Sequence, residues 1–209
     1  MRSSIRGKAL LAGACMLVGA AAWAQQPQTA TKETPASFDL AVTYAPERAQ
    51  LVPGNCGCFW MQGASAEAAV SWRKGFGLVA SVSGGQAAPV APGVDVNKIM
   101  FLGGERYTGK LRTWHEGTPQ ERKLQFFGEW LFGDVHAFNG VFPASGGVKS
   151  SADAFAMQMG GGLNMSLYKR LGVRLVQVDY VKTTLPNNST NAQDDLRLAT
   201  GLTFRIGRH

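Results

Sequence analysis

The sequence predicts an all-β chain, an eight-stranded antiparallel up-and-down transmembrane β-barrel. Three observations carry this. The last segment, 196–206, alternates along its length. Leu196, Leu198, Leu202, Phe204 and Ile206 take the even positions, with Thr200 the one polar exception, while Arg197, Ala199, Gly201, Thr203 and Arg205 take the odd ones. One greasy face and one small or polar face suit a wall between hydrocarbon and a polar interior. Earlier segments repeat the alternation with turn residues between them. The chain also opens with an export signal. Arg2, Arg6 and Lys8 precede the apolar run Ala9–Trp23, and Ala22-Trp23-Ala24 is a small-x-small cleavage site before Gln25.

The expected organisation is a signal peptide over 1–24, a polar disordered lead-in over 25–36 with Pro27 and Pro35, and a barrel domain over 37–209. The first strand, about 37–50, places Phe38, Leu40, Val42 and Tyr44 on one face. The second, about 58–73, has Trp60, Ala64, Ala66, Ala68, Val70 and Trp72 on its greasy side. Arg73-Lys74-Gly75 turns it into the third, about 76–84, with Phe76, Leu78, Ala80 and Val82 outward. The fourth, about 98–110, carries Phe101 and Tyr107. The fifth, about 122–137, shows Leu124, Phe126, Gly128, Trp130 and Phe132 on one face. The sixth, about 153–167, alternates from Phe155 through Met157, Met159, Gly161, Leu163 and Met165. The seventh, about 173–183, has Val176, Val178 and Tyr180 outward, and 196–206 is the eighth.

Connections 85–97, 138–152 and 184–194 read as long outer loops, whereas those after strands two and six are short and basic. Short turns at one end and longer loops at the other are a barrel feature. An even strand number puts both termini on the short-turn side, where export also leaves them. Trp72, Phe76, Tyr107 and Trp114 are expected near that rim, and Trp60, Phe101, Phe132 and Tyr180 nearer the other, as aromatic residues prefer interfaces. Gly160-Gly161-Gly162 inside a strand suggests close packing or a bend. Glu105 shares parity with Phe101 and Tyr107, so a bulge or a rim position is expected there.

No apolar run of about 18 residues remains after the signal, so no spanning helix is expected. The net charge is +7. Three of those positives leave with the signal, and the remaining excess of about four is too scattered to argue for nucleic acid. Cys56 and Cys58 sit in a turn-rich stretch, where a loop disulfide, two free thiols or a metal pair are the readings. A lone Cys-x-Cys is weak metal evidence, and the one-residue gap would strain a bond.

The run Thr200-Gly201-Leu202-Thr203-Phe204-Arg205-Ile206 resembles the C-terminal signal that outer-membrane barrels present to their insertion machinery. Here the chain continues through Gly207, Arg208 and His209, where many such proteins stop at the aromatic residue. Phe101–Tyr107 and Val176–Tyr180 resemble strands of the small OmpA-like or OmpX-like porin-family barrels. The likeness covers about 37–206. It implies a bacterial outer-membrane monomer without cofactor, in contact with membrane lipid, lipopolysaccharide and the insertion machinery.

With the greasy faces outward, Asp39, Glu67, Arg106, Glu129, Gln177, Asp179, Arg197 and Arg205 point into the bore. Eight strands leave room for little but side chains, and a buried charge must be paired. Arg106 with Glu129 and Arg197 with Asp179 are therefore expected as structural ion pairs that plug the barrel. Their opening would give narrow gated passage. An outer-membrane enzyme would have to use His136, with Asp134 on its face and Ser145 nearby. A loop adhesin would use Phe138, Phe142 or 51–59. A soluble lipocalin-like barrel would reverse the two faces.

Overall fold

The computed structural model describes residues 37–50, 58–72, 75–91, 94–118, 121–187 and 190–206. The expected signal peptide and lead-in fall outside these residues. Nine strands run in chain order: β1 (Ser37–Tyr44), β2 (Glu47–Gln50), β3 (Cys58–Ser71), β4 (Phe76–Ala91), β5 (Val94–Trp114), β6 (Arg122–Ala144), β7 (Gly147–Ser166), β8 (Leu171–Thr183) and β9 (Gln193–Ile206). Each pairs antiparallel with its neighbours, and the β1–β9 and β3–β4 pairings close the ring.

β1 and β2 are two halves of one stave, since both pair with β3 and with β9. Pro46 has no N–H to give the ladder, so the stave breaks there. The break is bridged by Ala45 N donating to Gly63 O at 2.8 Å and Leu198 N donating to Pro46 O at 2.9 Å. The ring thus has eight staves, as the alternation predicts.

The pairing also fixes the stagger. From Phe38 the register runs through Val70, Leu78, Glu105, Trp130, Met159, Tyr180 and Leu196, and returns to the first stave at Arg48, ten residues above its start. A closed sheet staggered in this way must tilt its strands, by about 35–45° for barrels of this size.

Two expected long loops are strands instead. β4 and β5 extend through most of 85–97, and β6 and β7 through most of 138–152. Above the apolar belt no face has to meet hydrocarbon, so the alternation fades, yet each strand still finds a ladder partner in its hairpin mate. The short-turn end keeps tight links, including Leu167–Arg170, where Leu167 N and Tyr168 N both donate to Leu171 O.

The faces sort as a bilayer demands. Leu196, Leu198, Leu202, Phe204 and Ile206 are all exposed, while Arg197 and Ala199 are buried. Phe76, Tyr107 and Phe126 touch in series toward the short-turn end, with ring centroids 5.0 and 5.9 Å apart. Trp130, Phe132 and Phe155 form a second series higher up, at 5.4 and 6.4 Å. This sorting overturns the soluble lipocalin-like reading, which requires apolar residues inside and charges outside. Trp114 is half-buried and stacks under Arg112, 5.3 Å from its ring centroid. Glu105 is exposed on the outer face between Leu78 and Trp130, in unbroken register. The bulge of β5 falls lower, between Lys110 and Arg112, so the expected bulge at Glu105 is absent; the residue stands two positions from Tyr107 of the aromatic series toward the short-turn end.

Val178 separates a lipid-facing surface from a water-facing one, because it is 45% exposed and well inside β8. Val178→Arg is expected to cost about 2–4 kcal/mol in urea unfolding from lipid vesicles if that face meets hydrocarbon near mid-bilayer. A water-facing valine would tolerate arginine within about 0.5 kcal/mol.

Candidate functional site

The interior is a stack of charged layers. At the long-hairpin end Lys98 of β5 lies between Glu47 of β2 and Asp195 of β9, with Nζ 3.1 Å from Asp195 Oδ2. In the next layer Arg197 donates through Nε and Nη2 to Asp179 Oδ2, at 3.2 and 3.1 Å, and through Nη1 to Ser83 Oγ at 3.0 Å. Its Nη2 also meets Gln158 Oε1, and Gln158 Nε2 donates to Glu129 Oε1 at 3.0 Å. Below, Arg106 Nε donates to Glu129 Oε2 at 2.8 Å, and its Nη2 reaches both Glu129 and Glu67. Arg174 Nη1 shares Glu67 Oε2 at 2.7 Å, and Gln177 Nε2 ties Glu129 to Asp179 at 2.9 and 3.0 Å. At the short-turn end Arg205 Nε donates to Asp39 Oδ1 at 2.6 Å.

Position in the fold explains the contacts. Arg106 and Glu129 are direct cross-strand partners, as are Asp179 and Arg197. The acids Glu129 and Asp179 flank Gly160 in one row, and Phe127 and Gln177 flank Gly162 in the next. Glycine is needed there: a Cβ on Gly160 would stand 2.1 Å from Asp179 Oδ1, and one on Gly162 would stand 2.2 Å from Val176 O. The Gly160-Gly161-Gly162 run lets the strands close up around large charged groups. Phe127, freed by Gly162, lies beneath two guanidiniums, with Arg106 Cζ 4.7 Å and Arg174 Cζ 4.5 Å from its ring centroid. Stacking of this kind holds an arginine flat while leaving its edge free to bond.

Sequence reasoning missed Arg174, Lys98, Glu47 and Asp195. Arg174 has the parity of the outward residues Val176 and Val178, yet it is buried. Leu175 is an extra residue, so Leu163 pairs with Val176 while Asn164 pairs with Arg174. The signal was present as two adjacent apolar residues, Leu175 and Val176, both exposed. Thr200, the polar exception on the greasy face of β9, closes the bulge: its hydroxyl donates to Arg174 O at 2.9 Å and to Leu175 O at 3.3 Å. Lys98 shares the parity of Arg106, Glu47 lies on inward parity inside the first expected strand, and Asp195 lies on inward parity one residue before the expected start of the last.

These interior groups come close to electrical balance. Lys98, Arg106, Arg174 and Arg197 face Glu47, Glu67, Glu129, Asp179 and Asp195, and each of these side chains is at most 7% exposed. The extra carboxylate sits where Lys98 faces two acids. Glu67 Oε1 and Ser81 Oγ, opposite each other on β3 and β4, are buried side-chain oxygens without a protein partner.

The enzyme-like residues do not converge. His136 Nδ1 meets Asp153 Oδ1 at 2.6 Å across the β6–β7 pair, and Asp134 lies below it on the same outward face. Ser145 is in the hairpin turn, nine residues further along. At about 3.3 Å per strand residue it lies far outside hydrogen-bond reach. Phe138 is half-buried against His136, with centroids 5.8 Å apart, and Phe142 is likewise half-buried on β6, so neither is a loop aromatic. Cys58 opens β3, whereas Cys56 and the rest of 51–57 lie outside the described residues. Among the described residues no group of three or more His, Cys, Asp and Glu is placed to hold a metal.

This geometry defines a small closed barrel with an apolar exterior and a charge-filled interior. The solved structure of neisserial surface protein A has the same fold. It is 10% identical, with a TM-score of 0.55, and the match covers 82% of this chain and 97% of that one. Ail, the attachment invasion locus protein of Yersinia pestis, was solved with the heparin analogue sucrose octasulfate. It matches at 12% identity over 82% of this chain and 98% of that one, with a TM-score of 0.46. The N-terminal β-barrel domain of Pseudomonas aeruginosa OprF matches at 11% identity over 80% and 97%, with a TM-score of 0.41. No protein-family model and no curated sequence matches the chain. The architecture is thus that of the eight-stranded outer-membrane barrels.

Gly160→Ala is expected to push Asp179 and the β8 backbone aside and to destabilise the barrel by about 1–3 kcal/mol, the usual cost of overpacking. Gly128→Ala, whose Cβ would find its nearest neighbour at an ordinary 3.8 Å, should be close to neutral. Urea unfolding from vesicles distinguishes the two.

Proposed function

We propose that the protein is an integral outer-membrane barrel with a structural and interaction role, closed along its bore and making its outward contacts through the β6–β7 hairpin. The observation that carries this is the union of an apolar exterior with an interior whose charges are bonded to one another. A wide water-filled pore would leave such groups hydrated and separate. Here Gln158 and Asp179 are 0% exposed and Arg197 is 2% exposed, at the middle of the barrel.

The contact surface follows from strand lengths. β7 begins at Gly147, but its pairing with β8 starts only at Ala156. The stretch Gly147–Ala154 therefore offers ladder groups on one edge with no strand opposite. Val148, 71% exposed, and Val141, 60% exposed, stand on this hairpin. Open edges and exposed apolar tips are where a barrel makes contacts with other molecules. Neisserial surface protein A, which shares the fold, is by its name a surface protein. In this reading the termini face the periplasm, membrane lipid and lipopolysaccharide surround the belt, β9 is the strand shown to the insertion machinery, and the barrel acts as a monomer.

Gated passage of a small solute is the second reading. It is favoured by the way the ion pairs stack in layers along the axis, so that a path would need the Arg106–Glu129 and Arg197–Asp179 pairs to break together with the Lys98 layer.

Membrane fractionation, with boiled and unboiled samples run side by side on SDS gels, tests the main reading. Outer-membrane recovery, a mobility shift on boiling and negligible conductance in planar bilayers are expected. Recovery in the soluble periplasm without a shift would overturn it, and steady large conductance would overturn the closed bore.

A further inference from the structure

A cavity of about 480 Å³ opens at the short-turn end and reaches inward to the lowest layer of the charge network. Its size is that of a small-molecule site. Cations dominate its wall: Arg106 and Arg174 at the floor, Arg205 and Lys123 at the side, and Lys169 and Arg170 at the mouth. Among the described residues Asp39 and Glu121 are the acids of the wall, Asp39 paired with Arg205 and Glu121 with Lys123 at 2.7 Å, so four cations remain beyond these pairs. Glu67 stands behind the floor and bonds both guanidiniums, and Glu129 bonds that of Arg106.

The floor is a built one. Arg174 is 1% exposed. Its Nε bonds to Asn164 Oδ1 at 3.2 Å and its Nη1 to Glu67 and Gln177, while its Nη2 has no hydrogen-bond partner in the protein. Arg106 uses Nε and Nη2 in the same manner and leaves Nη1 without one. Both guanidiniums lie over the ring of Phe127. Arg170 at the mouth is exposed and makes no side-chain hydrogen bond or ion pair among the described residues. Each arginine thus keeps one spare charged N–H donor, and the two guanidiniums meet at Glu67 Oε2, so the pair together can hold the oxygens of one carboxylate or phosphate group.

We infer that this cavity binds a small soluble anion bearing two or more carboxylate or phosphate groups, taken up from the compartment that the short turns face. One anionic group docks on the spare donors of Arg106 and Arg174 and another on Arg170, with Lys123, whose Nζ is 2.7 Å from Glu121 Oε1, adding one of its remaining donors. The charge network thus has two faces, one sealing the bore and the other offering its spare donors to a ligand. The inference relies on the proposed orientation only for which compartment supplies the anion.

The test is calorimetric titration of the folded protein in zwitterionic detergent at low ionic strength, with citrate as the carboxylate probe and pyrophosphate as the phosphate probe. Saturable one-to-one binding of either is expected, and which one binds tells the two chemistries apart. Arg170→Glu and Lys123→Met should each weaken it tenfold or more, whereas Lys149→Glu, on the opposite hairpin, should leave it unchanged. All three variants should keep the boiling-dependent gel shift, so loss of binding is read on folded barrels and separately from the membrane reading. Absence of saturable binding by the parent protein would overturn the inference. So would equal weakening by Lys149→Glu, or binding indifferent to both mouth variants.

Discussion

Closing eight staves around charged side chains is the constraint on which the rest of this structure depends. The ring is too narrow to hydrate an ion and too wide to be filled by its small residues alone, so every inward charge must find a protein partner. That need accounts for features that are odd taken singly. Gly160 and Gly162 clear space beside Asp179 and Phe127. The extra residue Leu175 turns Arg174 inward toward Glu67, and Thr200 gives up the apolar pattern of β9 to bind the bulge carbonyls. Gln177 joins two acids that would otherwise repel, its amide donating to both Glu129 and Asp179, and Gln158 links Glu129 to Arg197 by donating to the one and accepting from the other.

The fold was legible because the two environments differ at every second residue. Along β9 each even position meets the outer surface and each odd one the bore, and no helical period imitates that. The pairs Arg106–Glu129 and Asp179–Arg197 were legible from neighbouring strands and shared parity. What alternation cannot show is a change of parity within a strand, which hid Arg174. It also cannot show how far hairpins continue once the membrane ends, which hid the strand character of 85–97 and 138–152. The convergence of three strands at Glu67, its own β3 with Arg106 of β5 and Arg174 of β8, depends on barrel closure and has no local signature. Glu105 is the reverse case, a charge whose outward parity the sequence showed plainly and whose place among Leu78 and Trp130 breaks the pattern of its own face.

The same network links the outer and inner halves of the account. Toward the long hairpins it ends at Lys98, between Glu47 and Asp195, beneath strands that rise clear of the belt. Toward the short turns it ends in guanidiniums that still have donors to spare. A barrel sealed by bonded charges is a rigid pedestal, and a rigid pedestal is what an exposed hairpin requires in order to present an edge in a fixed direction. In the proposed reading, closure of the bore and a fixed support for the hairpin would both follow from one electrostatic arrangement.

The most direct measurement is a double-mutant cycle on Arg197 and Asp179, read by reversible urea unfolding in lipid vesicles. Arg197→Met alone should cost about 3–5 kcal/mol, because it leaves Asp179 buried without its cation. Pairing it with Asp179→Asn should recover most of that loss. Single costs below about 1 kcal/mol that simply add would show that the two groups are hydrated and independent, and would contradict a barrel held shut by its own charges.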